Sequence, residues 1–375
     1  MKRRQVHHSN PEVELEKLRQ RVGPEEVPDS VDLLSSDDLE SRLLDSGDPR
    51  FTLIAVGDVM LWGRAKAYVQ EHGDEYQLAA VRPLLARAQI GLANLEGPMA
   101  CHAQKQERNF SYRVPPRMAR VLRRAGLRVV TLANNHLTDC GRQGVVETLS
   151  ALRRARVVPI GAGLDETQAH KPAIVRAGEM RIGFLGYYWN RRTAATATLP
   201  GSATDTADDL ARDIAAVRPL VDRLVVTHHW GIPYVREVAD ADRAKARLAI
   251  DCGADLVIGH HAHIVQAFEV YRSRPIFYGL GNFAFGSGNS RAESLLVGVR
   301  FERDRTVARL YPVYVKNRDP RVAYQPKVMV GHGAARMLER LQSVSGESAA
   351  SLCLDDGGAQ LDLQWAPIAE ACVHG

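Results

Sequence analysis

The feature that most constrains this chain is a set of short apolar runs that stop on polar, chemistry-bearing residues. They read FTLIAVGD (51–58), IGLANLEG (90–97), LRVVTLANNH (127–136), MRIGFLGYY (180–188), RLVVTHHW (223–230) and ADLVIGHHAH (254–263), the last followed by RPIFYGLGNF (274–283). Between them lie amphipathic segments such as DEYQLAAVRPLLARAQ (74–89) and PPRMARVLRRAGLR (115–128). Strand-length runs alternating with helical periodicity predict an α/β fold. Several runs end in Asp, Asn, Glu or His, which is where an α/β sheet opens its carboxyl edge to ligands, so a single cleft can collect them all.

Composition narrows the class. A chain of 375 residues can bury a large core, and no stretch approaches the length of apolar sequence needed to span a bilayer. The start, MKRRQVHHSNPEVELEKL, has basic residues without an apolar core behind them, so neither a signal peptide nor a membrane anchor is expected, and a cytoplasmic location is the default. Five cysteines without CxxC spacing argue against a disulfide framework and a thiolate zinc site. The formal charge is +5, but only 8 of the 49 basic residues are Lys, and no basic run is interleaved with aromatics. The Arg excess therefore reads as compositional bias, and no nucleic-acid partner is expected.

Residues 1–50 read as a charged arm or helical extension with two helix-like pieces, PEVELEKLRQRV (11–22) and SSDDLESRLLDSG (35–47), the second preceded by cap-forming serines. A protein partner could dock there. Residues 51–303 form the main domain. Residues 304–375 form an extension packing on it, with a strand VARLYPVYV (307–315), a helix AARMLERLQS (334–343) and a polar tail. TAATATLPGSATDT (193–206) is either a mobile loop over the cleft or a plain linker.

The strand ends nominate the site. If the HxH stretch is extended, His261 and His263 point to the same side and converge on a metal. His228 and His229 adjoin Trp230, which could wall off solvent; one of the pair is a candidate ligand and the other packs or supports it. Asn135 offers a carbonyl oxygen, and His136 beside it could protonate a leaving group. Asp139 either orients His136 or caps the helix that follows. Asp58, Glu96 and Asn94 complete a nitrogen and oxygen donor set suited to one or two divalent Mn, Fe or Zn ions. Arg64 is either a clamp for phosphate or carboxylate or a surface ion pair.

The motifs VGDVMLWGR, ANLEGPM, LANNHLTDCG, THHWG, GADLVIGHHAH and IFYGLGNFAF occur in an order and spacing that resembles the CapA family of poly-gamma-glutamate capsule synthesis proteins, a branch of the calcineurin-like metallophosphoesterases. The resemblance spans roughly Phe51 to Arg303. It implies a four-layer metallophosphoesterase-like sandwich, two central mixed sheets flanked by helices, with metals at the carboxyl edge. It also implies roles: Asp58 as the first-motif aspartate, Asn135 and His136 as the Asn ligand and catalytic His, His229 as an isolated His ligand, His261 and His263 as the paired His ligands. Glu96, favoured for its charge, or Asn94 takes the metal-bridging position. Two positions depart from the pattern: Met60 stands where the superfamily's first motif has His, and Pro233 where the CapA branch often has Glu.

The expectation is then a metal-dependent hydrolase in which a metal-bound hydroxide attacks a phosphoester or an amide or acyl-phosphate bond of an anionic or peptide-like substrate. Catalysis would fall to His136 and Asp139, and substrate contacts to Arg64, His228 and Trp230. The alternative is a non-hydrolytic accessory protein in poly-gamma-glutamate synthesis or export.

Overall fold

A computed structural model describes residues 31–45, 50–106, 111–288, 291–355 and 358–365. The predicted helix at 11–22 and the polar tail lie outside the described residues. Among the described residues no helix is long and apolar enough to cross a membrane.

Two mixed sheets form the centre. The first has eleven strands; its main path runs Asp32–Leu33, Lys327–Val330, Arg305–Tyr314, Glu293–Phe301, Phe51–Met60, Ala88–Leu95, Leu127–Thr131 and Val158–Ile160. The second has six, in the order Phe268–Tyr271, Arg274–Phe277, Leu256–His260, Arg223–His229, Met180–Tyr188 and Ala173–Ala177. The strands that carry the nominated residues pair in parallel within each sheet, so their carboxyl ends gather on one side.

Strand alternation explains the layering. Leu53 and Ala55 point inward, into a core shared with Phe184, Val225, Leu256 and Ile258 of the second sheet. Ile54 and Val56 point outward, against Leu122 of helix Met118–Arg124 and Val145 and Leu152 of helix Gly141–Ala155. On the far side Leu224, Val226 and Val257 meet Leu210 and Ile214 of helix Ala207–Val217 and Ala246, Ala249 and Ile250 of helix Asp240–Asp251. The result is helices, sheet, sheet, helices. A fully buried leucine such as Leu53 contributes about 1.5–3 kcal/mol.

The C-terminal segment is woven into the first sheet. Glu293–Phe301 and Arg305–Tyr314 form an antiparallel hairpin, so the expected boundary after Arg303 falls inside its turn. Helix Gly331–Val344 sends Met337, Leu338 and Leu341 into the core between the sheets. At the other end of the chain, Asp32–Leu33 pairs with Met329 and Val330. Helix Ser36–Asp45 follows, with the Ser35 hydroxyl accepting from the Asp38 amide at 3.1 Å and Leu39 and Leu43 buried.

The segment 193–206 is neither a bare linker nor a detached flap. Gly201–Ser202 pairs with Ala162–Gly163, and the Arg142 guanidinium donates to the carbonyls of Thr193 (3.3 Å), Ala194 (2.9 Å) and Pro200. A Cβ at Gly201 would stand 2.3 Å from the Thr193 carbonyl oxygen and 2.5 Å from the Ala195 nitrogen, so this close approach of backbone to backbone requires glycine there.

Candidate metal centre

The site forms where the carboxyl ends of both sheets meet. Asp58 owes its orientation to an irregularity. Strict alternation would put it with Ile54 and Val56 on the helix face, but the pairing register with Ala88–Leu95 shifts between Ala55 and Asp58. The carboxylate turns inward to meet the second sheet: Oδ1 lies 3.3 Å from His260 Nδ1, and Oδ2 lies 3.1 Å from His263 Nδ1. Glycine makes the approach fit, since a Cβ at Gly57 would stand 1.9 Å from the Gly281 carbonyl oxygen.

Asn94 and Glu96 follow from the neighbouring strand, both fully buried. Asn94 Nδ2 donates to Asp58 Oδ1 at 2.8 Å and to Glu96 Oε2 at 3.2 Å, while its Oδ1 accepts from Asn134 Nδ2 at 3.0 Å. In this geometry Asn94 positions two carboxylates and its oxygen is already engaged, which leaves Glu96 as the freer donor of the two. Asn134 is equally committed, because it also donates to the Leu95 carbonyl and accepts from the His136 amide.

His229 Nε2 and Asn135 Oδ1 stand 2.8 Å apart, and the His229 ring lies 4.5 Å from that of His261. His261 and His263 do converge, but by a different route from the one predicted. The strand ends at His260, and both residues adopt left-handed backbone, with φ of 89° and 57°. Turn geometry aims the two imidazoles. Left-handed backbone costs a non-glycine residue roughly 1–3 kcal/mol, which the surrounding packing must offset.

Ligand-type atoms of Glu96, His261 and His263, and separately of Asp58, Glu96 and His229, lie within 4.8 Å of one another. Among the described residues, Asp58 Oδ2, Glu96 Oε1, His261 Nδ1 and both nitrogens of His260 are buried without a well-directed hydrogen bond. Buried polar atoms are normally satisfied. Orphaned carboxylate and imidazole atoms grouped in this way fit a divalent ion held by nitrogen and oxygen donors.

The electrostatics follow from burial. Burial holds His229 well below the usual imidazole range, and the charge of His261 adds to it; burial likewise pushes His261 down to about 3. Both present neutral imidazoles at pH 7. Burial alone would lower His263 too, but Glu96 and Asp58 outweigh it and raise the group to about 10. Burial raises Glu96 above the usual carboxylate range; burial would raise Asp58 too, but the neighbouring His260 and His263 outweigh it and hold Asp58 well below that range.

His136 lies at the rim. Its Nδ1 is 2.7 Å from Asp139 Oδ2, and its Nε2 is 3.7 Å from Glu96 Oε1. An ionised carboxylate only accepts, so Nδ1 carries the hydrogen and Nε2 faces the cleft. Asp139 also accepts from the Tyr112 amide at 2.7 Å, and the Tyr112 ring lies 4.3 Å from that of His136. The helix Gly141–Ala155 begins at Cys140 without a side-chain cap, so of the two readings of Asp139 the geometry gives the orienting one.

Two nominated residues lie elsewhere. His228 and Trp230 continue the alternation of Leu224 and Val226, and both point into the helix-side core. Their rings stack 4.4 Å apart, and Trp230 Nε1 donates to the Tyr278 carbonyl at 2.9 Å. Neither reaches the cleft, which corrects the expected substrate contacts. Arg64 is exposed beyond the Asp58 strand, its amide donating to the Gly286 carbonyl at 2.6 Å. Sequence reasoning assigned no role to His260, which stands against Asp58, or to Asn282, whose Oδ1 lies 2.9 Å from His263 Nδ1. The adjacent histidines and the GLGNF run were the available signals. Met60 is buried, and no imidazole replaces it on its own strand.

A family model described as bacterial capsule synthesis protein PGA_cap matches residues 52–287. The chain is similar to the capsule biosynthesis protein CapA of Bacillus anthracis, 30% identical over 284 residues, covering 72% of this chain and 69% of that one. It is also similar to the PGA biosynthesis protein CapA of Bacillus subtilis (strain 168), 28% identical over 257 residues, covering 67% and 68%. Among solved structures it is similar to TT1561 of Thermus thermophilus, with a TM-score of 0.39, 12% identity and coverage of 67% of this chain and 95% of that one. A likeness of that degree carries no inference about chemistry.

Proposed function

This chain belongs to the bacterial capsule synthesis family PGA_cap, and we propose that it is a metal-dependent hydrolase acting on a phosphoester, or on an amide or acyl-phosphate bond, of an anionic or peptide-like substrate. The observation that carries the reading is the convergence of Asp58, Glu96, His229 and the His261–His263 pair, with the hydrogen-bonded His136–Asp139 pair beside them.

One or two divalent ions fit this donor set, held by Asp58, Glu96, Asn135, His229, His261 and His263. A bound ion supplies Lewis acidity toward a phosphoryl or carbonyl oxygen and activates water near neutral pH. The protein's own groups do the rest. Asn94 fixes the two carboxylates relative to each other through its 2.8 and 3.2 Å hydrogen bonds. Asn282 holds His263, and His260 stands 3.3 Å from Asp58 as a neighbouring donor. Asp139 fixes the His136 tautomer, so Nε2 is placed to deliver a proton to the leaving group.

A second reading, an accessory protein in polyglutamate capsule synthesis that binds and does not cleave, is favoured by Met60, which removes one imidazole from the superfamily's first motif. Both relatives above bear names in capsule or PGA biosynthesis, and neither name states a hydrolytic activity.

The experiment is elemental analysis of protein purified without added metal, alongside His261→Ala, followed by turnover of aryl phosphates and gamma-glutamyl anilides of graded leaving-group pKa. The expected result is metal near one or two equivalents, lost in His261→Ala. His136→Ala should retain metal and lose turnover most on poor leaving groups. Metal binding without any turnover moves the weight to the accessory reading. Protein that stays metal-free on addition of Mn, Fe or Zn removes both the ligand assignments and the hydrolase.

A further inference from the structure

Two guanidinium groups share one place at the rim of the metal centre. A Cβ built on Gly288 would lie 3.2 Å from Arg318 Nη2 and 3.4 Å from Arg64 Nη1. The arginines are distant in sequence, yet both are anchored to the same short stretch. The Arg64 amide donates to the Gly286 carbonyl at 2.6 Å, and Asn317, next to Arg318, donates through Nδ2 to the carbonyls of Phe285 (2.5 Å) and Ser287 (2.9 Å). That stretch also borders the metal centre, because the Phe285 ring lies 5.5 Å from His263 and 5.7 Å from Tyr112. Gly288 is three residues beyond Phe285, a reach of at most about 10 Å.

Neither guanidinium has a carboxylate partner among the described residues, although other arginines do. Arg117 pairs with Asp74 and Arg124 with Glu75. Asp319, adjacent to Arg318, is engaged by Arg321 and by the Tyr314 hydroxyl. Both free arginines are exposed, and the missing side chain at Gly288 leaves the space between them open. Two like charges converging on an open point repel each other unless an anion lies between them. Planar guanidinium forks suit carboxylate and phosphate equally.

We infer that Arg64 and Arg318 form an anion clamp that holds a second acidic group of a polyanionic chain, while another part of the same chain lies at the metal centre. This rests on the reading of that centre as a substrate site, and it narrows the substrate to a chain of repeated carboxylates or phosphates. A single-anion ester fills only the metal end.

The test measures binding to the metal-loaded full chain by calorimetry. The probes are gamma-linked oligoglutamate, inorganic polyphosphate of similar charge, and phenyl phosphate as a single-anion reference. They are run on the parent, on Arg64→Gln/Arg318→Gln, and on a remote pair of equal charge change, Arg153→Gln/Arg156→Gln. Metal content and melting temperature are recorded for each. The expected result is a 10- to 100-fold weaker affinity for one of the oligomers in the clamp variant, roughly what loss of a charge-assisted contact gives, with metal content and melting temperature as in the parent and no comparable loss in the remote pair. Which oligomer responds identifies the acidic group. Equal affinity in parent and clamp variant overturns the clamp, and so does an equal loss in the remote pair. Oligomer binding that depends on the arginines in a protein that turns nothing over keeps the clamp and removes only the hydrolase.

Discussion

Arg142→Met tests whether the 193–206 segment is held by one side chain. Methionine keeps the apolar stem but removes the donors that reach Thr193, Ala194 and Pro200. A hydrogen bond from a charged group to a carbonyl contributes about 1.5–3 kcal/mol. If only the 2.9 Å bond to Ala194 carries full weight, the local opening constant should rise about 10- to 100-fold. The reporters are the amides of Ala195, bonded to the Ser202 carbonyl, and Ala203, bonded to that of Gly161. Hydrogen exchange followed by mass spectrometry should show these amides exchanging faster by that factor, with strands Phe51–Met60 and Leu256–His260 unchanged, because opening is local. Exchange within twofold of the parent would refute the reasoning and assign the order of the segment to its short strand pairing alone.

Two further outcomes are expected. Among the described residues His228 has no hydrogen-bond partner for either nitrogen, and it is pushed down to about 3 by burial and by Lys245. His228→Phe, which keeps the stack on Trp230, should stabilise the protein by about 1 kcal/mol and leave metal content unchanged; metal loss would return His228 to the site. Metal binding at pH 7 should release protons, because His263, raised to about 10, is protonated before it can ligate. Affinity should therefore fall about tenfold per pH unit per displaced proton as pH drops below that value. Calorimetry in buffers of different ionisation enthalpy reads the number directly, and zero release would mean that His263 is not a ligand.

The α/β class and the cluster of donors at the strand ends were legible because both are written in local pattern: apolar runs mark strands, and the residue that ends a run is placed by the sheet. What failed depended on backbone detail or on distant partners. Alternation already implied that His228 and His229 face opposite ways, and it tied Trp230 to His228, but which face met the cleft rested on pairing with Met180–Tyr188 and Leu256–His260. The inward turn of Asp58 depends on a register shift and the aim of His261 and His263 on left-handed φ values, neither of which residue identity reveals. Asn282 meets His263, and Arg318 comes beside Arg64, through contacts distant in sequence that no linear spacing records.

The pairing of Asp32–Leu33 with Met329 and Val330 has a consequence during synthesis. Strand Asp32–Leu33 is translated long before its partner Lys327–Val330 exists. All the proposed metal ligands are translated by His263, yet the hairpin that covers Glu293–Phe301 and the helix that seals the core between the sheets come later. A nascent chain paused before Arg305 would present Glu293–Phe301 as an uncovered edge strand, a template for pairing with other chains. Vectorial folding of this protein is thus a race in which a later-translated segment closes the edge that the earlier ones leave open.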